Sequence, residues 1–136
     1  MTILYLLDTN IVSYNVTGNP PRTRQKLQRV SPHSMAISSV TEAELRYGIA
    51  RHPGALRSRA SVEAFLQNAT ILSWDSAAAR AYGQLRADQE RKGRPLSVED
   101  LMIAAHALSV DLTLVTHDQV FAYVDGLKIE DWTIEA

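Results

Sequence analysis

An α/β fold, in which a mainly parallel sheet of four to five strands is covered by helices on both sides, is what this 136-residue chain predicts. Three observations carry that expectation. Short apolar runs of strand length alternate along the chain with helical segments, the pattern of parallel strands joined by helical crossovers. The first run, Ile3-Leu4-Tyr5-Leu6-Leu7, is apolar without a break, as in a strand buried on both faces. The composition, 46% hydrophobic and 21% charged, suits one domain over residues 1–136, long enough to bury about 65–70% of its unfolded surface.

The elements follow in order. Asp8-Thr9-Asn10 closes the first strand with helix-cap chemistry, and Ile11-Val12-Ser13-Tyr14 continues from it. Gly18-Asn19-Pro20-Pro21 is a turn. Arg22 to Val30 reads as a short basic helix, and Met35-Ala36-Ile37-Ser38 as the second strand. Ser39 or Thr41 can cap the next helix, Val40 to Arg51, which His52-Pro53-Gly54 ends. Leu56 to Gln67 is helical, and Ala69 to Trp74 is the third strand. Asp75 or Ser76 caps a helix that reaches Arg91 and stops at Lys92-Gly93-Arg94-Pro95. Ser97 opens the helix Val98 to Ser109, Leu112 to Thr116 is the fourth strand, Asp118 to Tyr123 a short helical segment and Leu127 to Ile129 the fifth strand.

Composition also excludes. There is no cysteine, so disulfides, thiolate zinc sites, iron–sulfur clusters and a cysteine nucleophile are ruled out. No apolar run nears the roughly 18 residues of a membrane span, and the N-terminus lacks the basic stretch of a signal peptide. The expectation is a cytoplasmic protein with no membrane partner. Net charge is −1, but residues 1–68 hold eight Lys/Arg against four acids and residues 69–136 six against eleven. One half suits a polyanion and the other a cation.

In open parallel sheets, ligands bind beyond the carboxyl ends of the strands. Asp8 directly follows the first strand and Asp118 stands two residues past the fourth, so both acids fit one rim. Each also fits a helix cap. Asp100 lies in Ser97-x-x-Asp100, similar to a capping box but with Asp in the last place. The helix that follows, Leu101-Met102-Ile103-Ala104-Ala105-His106-Ala107-Leu108, is apolar nearly all round and is therefore buried. Asp100 then borders the interior or a cleft, with no Lys or Arg at i±3 or i±4 to pair with it. Glu42 and Glu44 share the helix from Val40 to Arg51, and periodicity does not choose between them. Carboxylates converging on one rim repel, by about 4 kcal/mol for a pair at about 4 Å and an effective dielectric of about 20. That is large beside a fold's net stability of about 5–15 kcal/mol. A hard divalent cation relieves it, and all-oxygen ligands select Mg²⁺, with Mn²⁺ as substitute, over zinc. The chemistry implied is metal-assisted attack of water on a phosphodiester.

Four stretches form an ordered set across the chain: Leu6-Leu7-Asp8-Thr9-Asn10; Ile37-Ser38-Ser39-Val40-Thr41-x-x-Glu44-Leu45-x-Tyr47-Gly48; Asp100-Leu101-x-Ile103-Ala104-Ala105-His106-Ala107; and Leu114-Val115-Thr116-x-Asp118-x-x-Phe121. The ending Gly126-Leu127-x-x-Glu130-Asp131-Trp132 joins them. With these motifs the sequence resembles PIN-domain ribonucleases, specifically the VapC-type toxins of bacterial type II toxin–antitoxin pairs. The resemblance implies a PIN-like three-layer α/β/α fold. It also implies that Asp8, Glu44, Asp100 and Asp118 are the catalytic, metal-binding acids, with Glu44 chosen over Glu42. Thr9, Asn10 and Thr116 match the residues that support them. The resemblance further implies endonucleolytic cleavage of RNA, transfer RNA among the family's substrates, leaving 3′-hydroxyl and 5′-phosphate ends. The partners it implies are a second copy in a homodimer and a VapB-type antitoxin.

Arg22, Arg24, Lys26 and Arg29 recur every two to three residues and, with Arg46, are candidate contacts to RNA phosphates. Arg86, Arg91, Lys92 and Arg94 form a second basic cluster. His106 reads as a hydrogen-bonded core residue, His117 as a surface loop residue, and Tyr14, Tyr47 and Trp74 as packing residues. Two rival functions remain at this point. A haloacid-dehalogenase-type phosphatase wants Asp-x-Asp after the first strand, where this chain has Asn10. A non-catalytic PIN-like module that binds RNA or protein has no need of four intact acids.

Overall fold

Side chains alternate across the strand that opens the chain. Leu6 faces one helical layer, while Tyr5 and Leu7 face the other. The computed structural model of the chain describes residues 2–94 and 96–134, so Pro95 of the expected helix stop lies outside the described residues. That first strand is β1 (Tyr5–Leu7), followed by α1 (Thr9–Thr17) and α2 (Pro21–Arg29). A 3₁₀ turn, Pro32–Ser34, leads into β2 (Met35–Ser38), α3 (Ser39–Ala50) and α4 (Leu56–Asn68). Then come β3 (Ile71–Leu72), α5 (Ser76–Arg91), α6 (Val98–Val110) and β4 (Thr113–Val115). A 3₁₀ segment, Gln119–Tyr123, and β5 (Ile129–Glu130) complete the order.

The five strands are all parallel, in the order β3-β2-β1-β4-β5. The chain winds outward from β1 to β3 on one side and then returns to lay β4 on the other side of β1. The direction of winding therefore reverses between β1 and β4, which opens a crevice at their carboxyl ends. Register places Leu7 beside Val115, so the residues that follow, Asp8 and Thr116, leave the sheet as neighbours.

Two cores cover the two faces. Leu7, Ile37 and Val115 meet Ile11, Val12, Leu27, Leu45 and Leu66 from α1 to α4. Leu6, Ala36 and Leu114 meet Leu85, Leu101, Ile103 and Phe121. Each such side chain contributes about 1.5–3 kcal/mol when fully buried. Helix α6 is buried nearly all round, as its apolar composition requires: Leu101 and Ile103 to Ala107 are inaccessible.

Several boundaries differ from expectation. The third strand shortens to two residues because it pairs only with β2, and the Trp74 N–H already leaves to donate to Ser39 Oγ at 3.0 Å. That hydroxyl is therefore not the cap of α3. The cap is Ser38, the last residue of β2, whose Oγ accepts the Val40 N–H at 3.1 Å. Arg24, an expected RNA contact, reaches back to the end of α1, donating to the carbonyls of Asn15 and Val16 at 2.9 Å each. Gly18 sits at φ 74°, and a Cβ there would come within 2.7 Å of the Arg24 guanidinium. The second basic cluster is internally engaged. Arg86 pairs with Glu90, Arg91 with Asp88 and Lys92 with Asp125, while Arg94 lies over the Tyr123 ring.

Ser38 also ties two layers together. Its Oγ lies 2.8 Å from His106 Nδ1, and both residues are buried. Beside the bond that it accepts from the Val40 N–H, the Ser38 hydroxyl thus makes a second one with the imidazole. Burial pushes the His106 pKa down, against a small opposing pull from Asp75. Ser38→Ala removes the cap and leaves Nδ1 unpaired. The expected loss is about 2–3 kcal/mol, read as a lower urea midpoint at unchanged m-value. An unchanged midpoint would show that neither contact stabilises the fold.

Candidate functional site

Asp8 is 7% exposed at the end of β1. Its backbone N–H still joins the sheet, donating to the Val115 carbonyl at 2.9 Å. Its side chain caps α1, with Oδ1 accepting from the Thr9 N–H at 2.8 Å. Oδ2 accepts from Thr116 Oγ1, also at 2.8 Å. The Thr116 hydroxyl in turn accepts the Asp118 N–H at 3.1 Å, so one buried threonine joins the strand-end acid to the loop that carries Asp118. Asp118 itself is exposed and caps the 3₁₀ segment, with Oδ1 accepting from Val120 N at 3.1 Å.

Glu44 enters from the next strand over. α3 leaves the end of β2, beside β1, and brings the Glu44 carboxylate to α1. Thr9 Oγ1 donates to Glu44 Oε1 at 3.1 Å and stands 3.2 Å from the buried Thr41 hydroxyl. Glu42 turns the other way and pairs with Arg46 at 2.8 Å. Of the two glutamates that periodicity left open, Glu44 is the one that faces α1. Asp100 is half-buried in the first turn of α6, its N–H donating to the capping Ser97 Oγ at 3.1 Å.

The acids feel one another. Asp8 is held above the usual carboxylate range, first by burial and then by the charges of Asp100 and Asp118, with the Thr116 and Thr9 hydrogen bonds pulling down. Glu44 is raised by burial and by Glu99, Asp8 and Asp100, against the Thr9 hydrogen bond. Asp100 is raised by burial and by Asp118 and Glu99, against Ser97. Among the described residues, no three such groups close into a ready-made metal cage. Their charges nonetheless raise one another's pKa values. Their donor set is oxygen only, the kind that a hard divalent cation takes.

Other expected residues fall elsewhere. Asn10 is exposed and makes no side-chain hydrogen bond among the described residues. Arg22, Lys26 and Arg29 line a separate groove with Glu130 and Asp131, in which Lys26 stands 5.8 Å over the Trp132 ring. Arg46 is held by Glu42 and, at 3.9 Å, by Glu63. His117 is exposed, with Nδ1 2.9 Å from Asp131 Oδ2. Tyr14 and Trp74 pack as expected, but Tyr47 is 64% exposed because it shares the Glu44 side of α3 rather than the core side. Sequence reasoning missed Glu99, which lies beside Asp100 and whose charge raises both Glu44 and Asp100. It also missed that the buried Thr41 hydroxyl stands beside Thr9, and the cleft that Tyr47 lines.

Comparison with known proteins adds relatives. The model of the PIN domain matches residues 5–127. The chain is 39% identical to the tRNA(fMet)-specific endonuclease VapC of Shigella flexneri, over 95% of this chain and 98% of that one. It is 32% identical to the ribonuclease VapC2 of Rickettsia felis, over 96% and 98%. In structure it is similar to the DNA-bound VapBC complex of Salmonella typhimurium, with a TM-score of 0.89 at 36% identity, covering 96% of this chain and 99% of that one.

The raised acids set a pH dependence. Asp8, Glu44 and Asp100 bind protons more tightly in the folded than in the unfolded chain. Their contribution to stability is therefore present at low pH and lost as pH rises from about 4 toward neutrality. Asp131 has the opposite sign, because hydrogen bonds from Thr133 and His117 outweigh its burial and hold it low. Asp125 is held low by Lys92 in the same way, and both act below the ordinary aspartate value. Urea titrations in chelator are expected to show stability falling across that window, with a shallower fall in Asp100→Asn. An identical slope in the variant would contradict the coupling.

Proposed function

The chain belongs to the PIN-domain family, and we propose that it is an endoribonuclease of the VapC type, the toxin of a toxin–antitoxin pair. One observation carries the reading: Asp8, Glu44, Asp100 and Asp118 come from four separate segments and share one electrostatic field, at the crevice where the winding of the sheet reverses. Relatives named as VapC ribonucleases, matched over nearly the whole chain, support the same activity.

The four acids would hold Mg²⁺, or Mn²⁺ in its place. The bound ion would supply an activated water and neutralise charge at phosphorus, which removes the need for a histidine base or a serine nucleophile. The chain's own residues do the positioning. Thr116 fixes the Asp8 carboxylate and the start of the Asp118 loop with one hydroxyl. Thr9 turns Glu44 toward the crevice. Ser97 holds the first turn of α6, so Asp100 meets the strand ends from the opposite layer. Hydrolysis would leave 3′-hydroxyl and 5′-phosphate ends.

Transfer RNA is the favoured substrate class, because the relatives from Shigella and Salmonella are named for it. A VapB-type antitoxin is the favoured inhibitor, because the structural relatives are VapBC complexes. The family resemblance supports a homodimer working in the cytoplasm. No helix among the described residues is long and apolar enough to cross a membrane. A dehalogenase-type phosphatase finds no support, since an exposed Asn10 stands where its second aspartate belongs.

Asp8→Asn and Asp100→Asn should each lower RNA cleavage by about 10²-fold or more while circular dichroism stays native. Full activity in both variants would end the assignment. Mg²⁺ at about 100 times its Kd should add about 2.7 kcal/mol of stability at neutral pH. That gain should shrink in acid and in Asp100→Asn.

A further inference from the structure

The surface of α3 beyond Glu44 carries more than the acid centre uses. Glu44, Tyr47 and Gly48 stand at i, i+3 and i+4 on one stripe of the helix, and Arg51, its C-cap in αR backbone, continues the stripe at i+7. The stripe walls a cleft of about 500 Å³, which Thr9, Glu99 and His52 also line. A volume of that order suits one small ligand.

Three features say what kind. First, the Tyr47 ring is 64% exposed, and the Arg51 guanidinium lies over one of its faces, 5.2 Å from the centroid, rather than against a carboxylate. With the guanidinium on one face, the opposite face of this exposed ring is suited to stacking a nucleobase, and the guanidinium to meeting a phosphate. Second, Gly48 lies inside a helix, where glycine is less stable than alanine. The chain gives no reason for it: a Cβ there would meet nothing within 4 Å, and its φ is not positive. What the missing side chain does is leave the wall of the cleft open. Third, the cleft is polarised, with Glu44 and Glu99 at one end and Arg51 and His52 at the other. A strand whose scissile phosphate sits at the acid end would carry its next phosphate toward the basic end.

Resting on the nuclease reading, we propose that this cleft is the subsite for one unstacked base of the RNA strand, adjacent to the phosphodiester that is cut. Tyr47 is the stacking platform, Gly48 leaves the space the base occupies, and Arg51 meets the phosphate on the far side of that base. The subsite selects RNA whose bases are free to leave the stack, as in loops and single strands.

The test measures steady-state cleavage of a short single-stranded RNA. In parallel, fluorescence anisotropy follows binding of the same RNA to chains carrying Asp8→Asn. Tyr47→Ala should raise KM and Kd by about five- to a hundredfold with a much smaller change in kcat, and Tyr47→Phe should restore both. Arg51→Ala should lower the slope of log Kd against log salt by about 0.7, one phosphate contact on a single strand. Gly48→Ala should raise the melting temperature by about 2–4 °C while weakening RNA binding, a combination that a merely structural glycine would not produce. Wild-type KM and Kd in Tyr47→Ala would overturn the subsite. So would a stabilised Gly48→Ala with undiminished RNA affinity, or losses confined to inhibition by a protein partner. A parent chain that cuts no RNA would defeat the nuclease reading instead, and the anisotropy series would still decide the subsite.

Discussion

Thr116 has one hydroxyl proton, and it goes to Asp8 Oδ2 across 2.8 Å, while the same oxygen accepts the Asp118 N–H. Much follows from that exchange. β1 and β4 are hydrogen-bonded neighbours with Leu7 opposite Val115, so the residues that leave the two strands meet above the sheet. A one-residue slip would turn Asp8 toward the opposite face and leave the hydroxyl without its acceptor. A carboxylate this deeply buried is costly, and its two hydrogen bonds offset part of the desolvation.

The centre is a region where local stability is sacrificed. Burial and mutual repulsion raise three of its carboxylates, and the hydrogen bonds from Thr9, Thr116 and Ser97 recover only part of the loss. Such local conflicts persist only where the surroundings hold them rigidly, and two of the elements here are held so. α6 is buried on nearly every side, and β1 is central in a parallel sheet. A bound cation would relieve this repulsion, and that relief is the physical basis of the nuclease proposal.

Capping does not exhaust these carboxylates. An ionised carboxylate offers about four lone-pair positions. The cap of α1 takes one on Asp8 Oδ1, and the cap of the 3₁₀ segment takes one on Asp118 Oδ1. The same interaction that starts each segment also aims the remaining lone pairs, so a helix start doubles as a mount for the acid. Arg24 shows the converse: a residue whose charge suggests a ligand is occupied by closing the end of α1.

What could be read along the chain was whatever depends on near neighbours. The order of strands and helices, the burial of α6, and the placing of Asp8 and Asp118 just beyond strand ends follow from apolar periodicity and cap chemistry, which act over a few residues. The alternation of helices and strands was enough for a parallel sheet, and resemblance alone named Glu44 ahead of Glu42. What the chain did not disclose were meetings between distant side chains: Ser38 with His106, Thr9 with Glu44, Asp8 with Thr116. Nor did it disclose that Tyr47 faces water, because helical period tells which residues share a stripe but not which stripe the neighbouring layers will cover. That is settled only when α1 and α4 pack against α3, and with it which glutamate looks into the crevice and which pairs with Arg46.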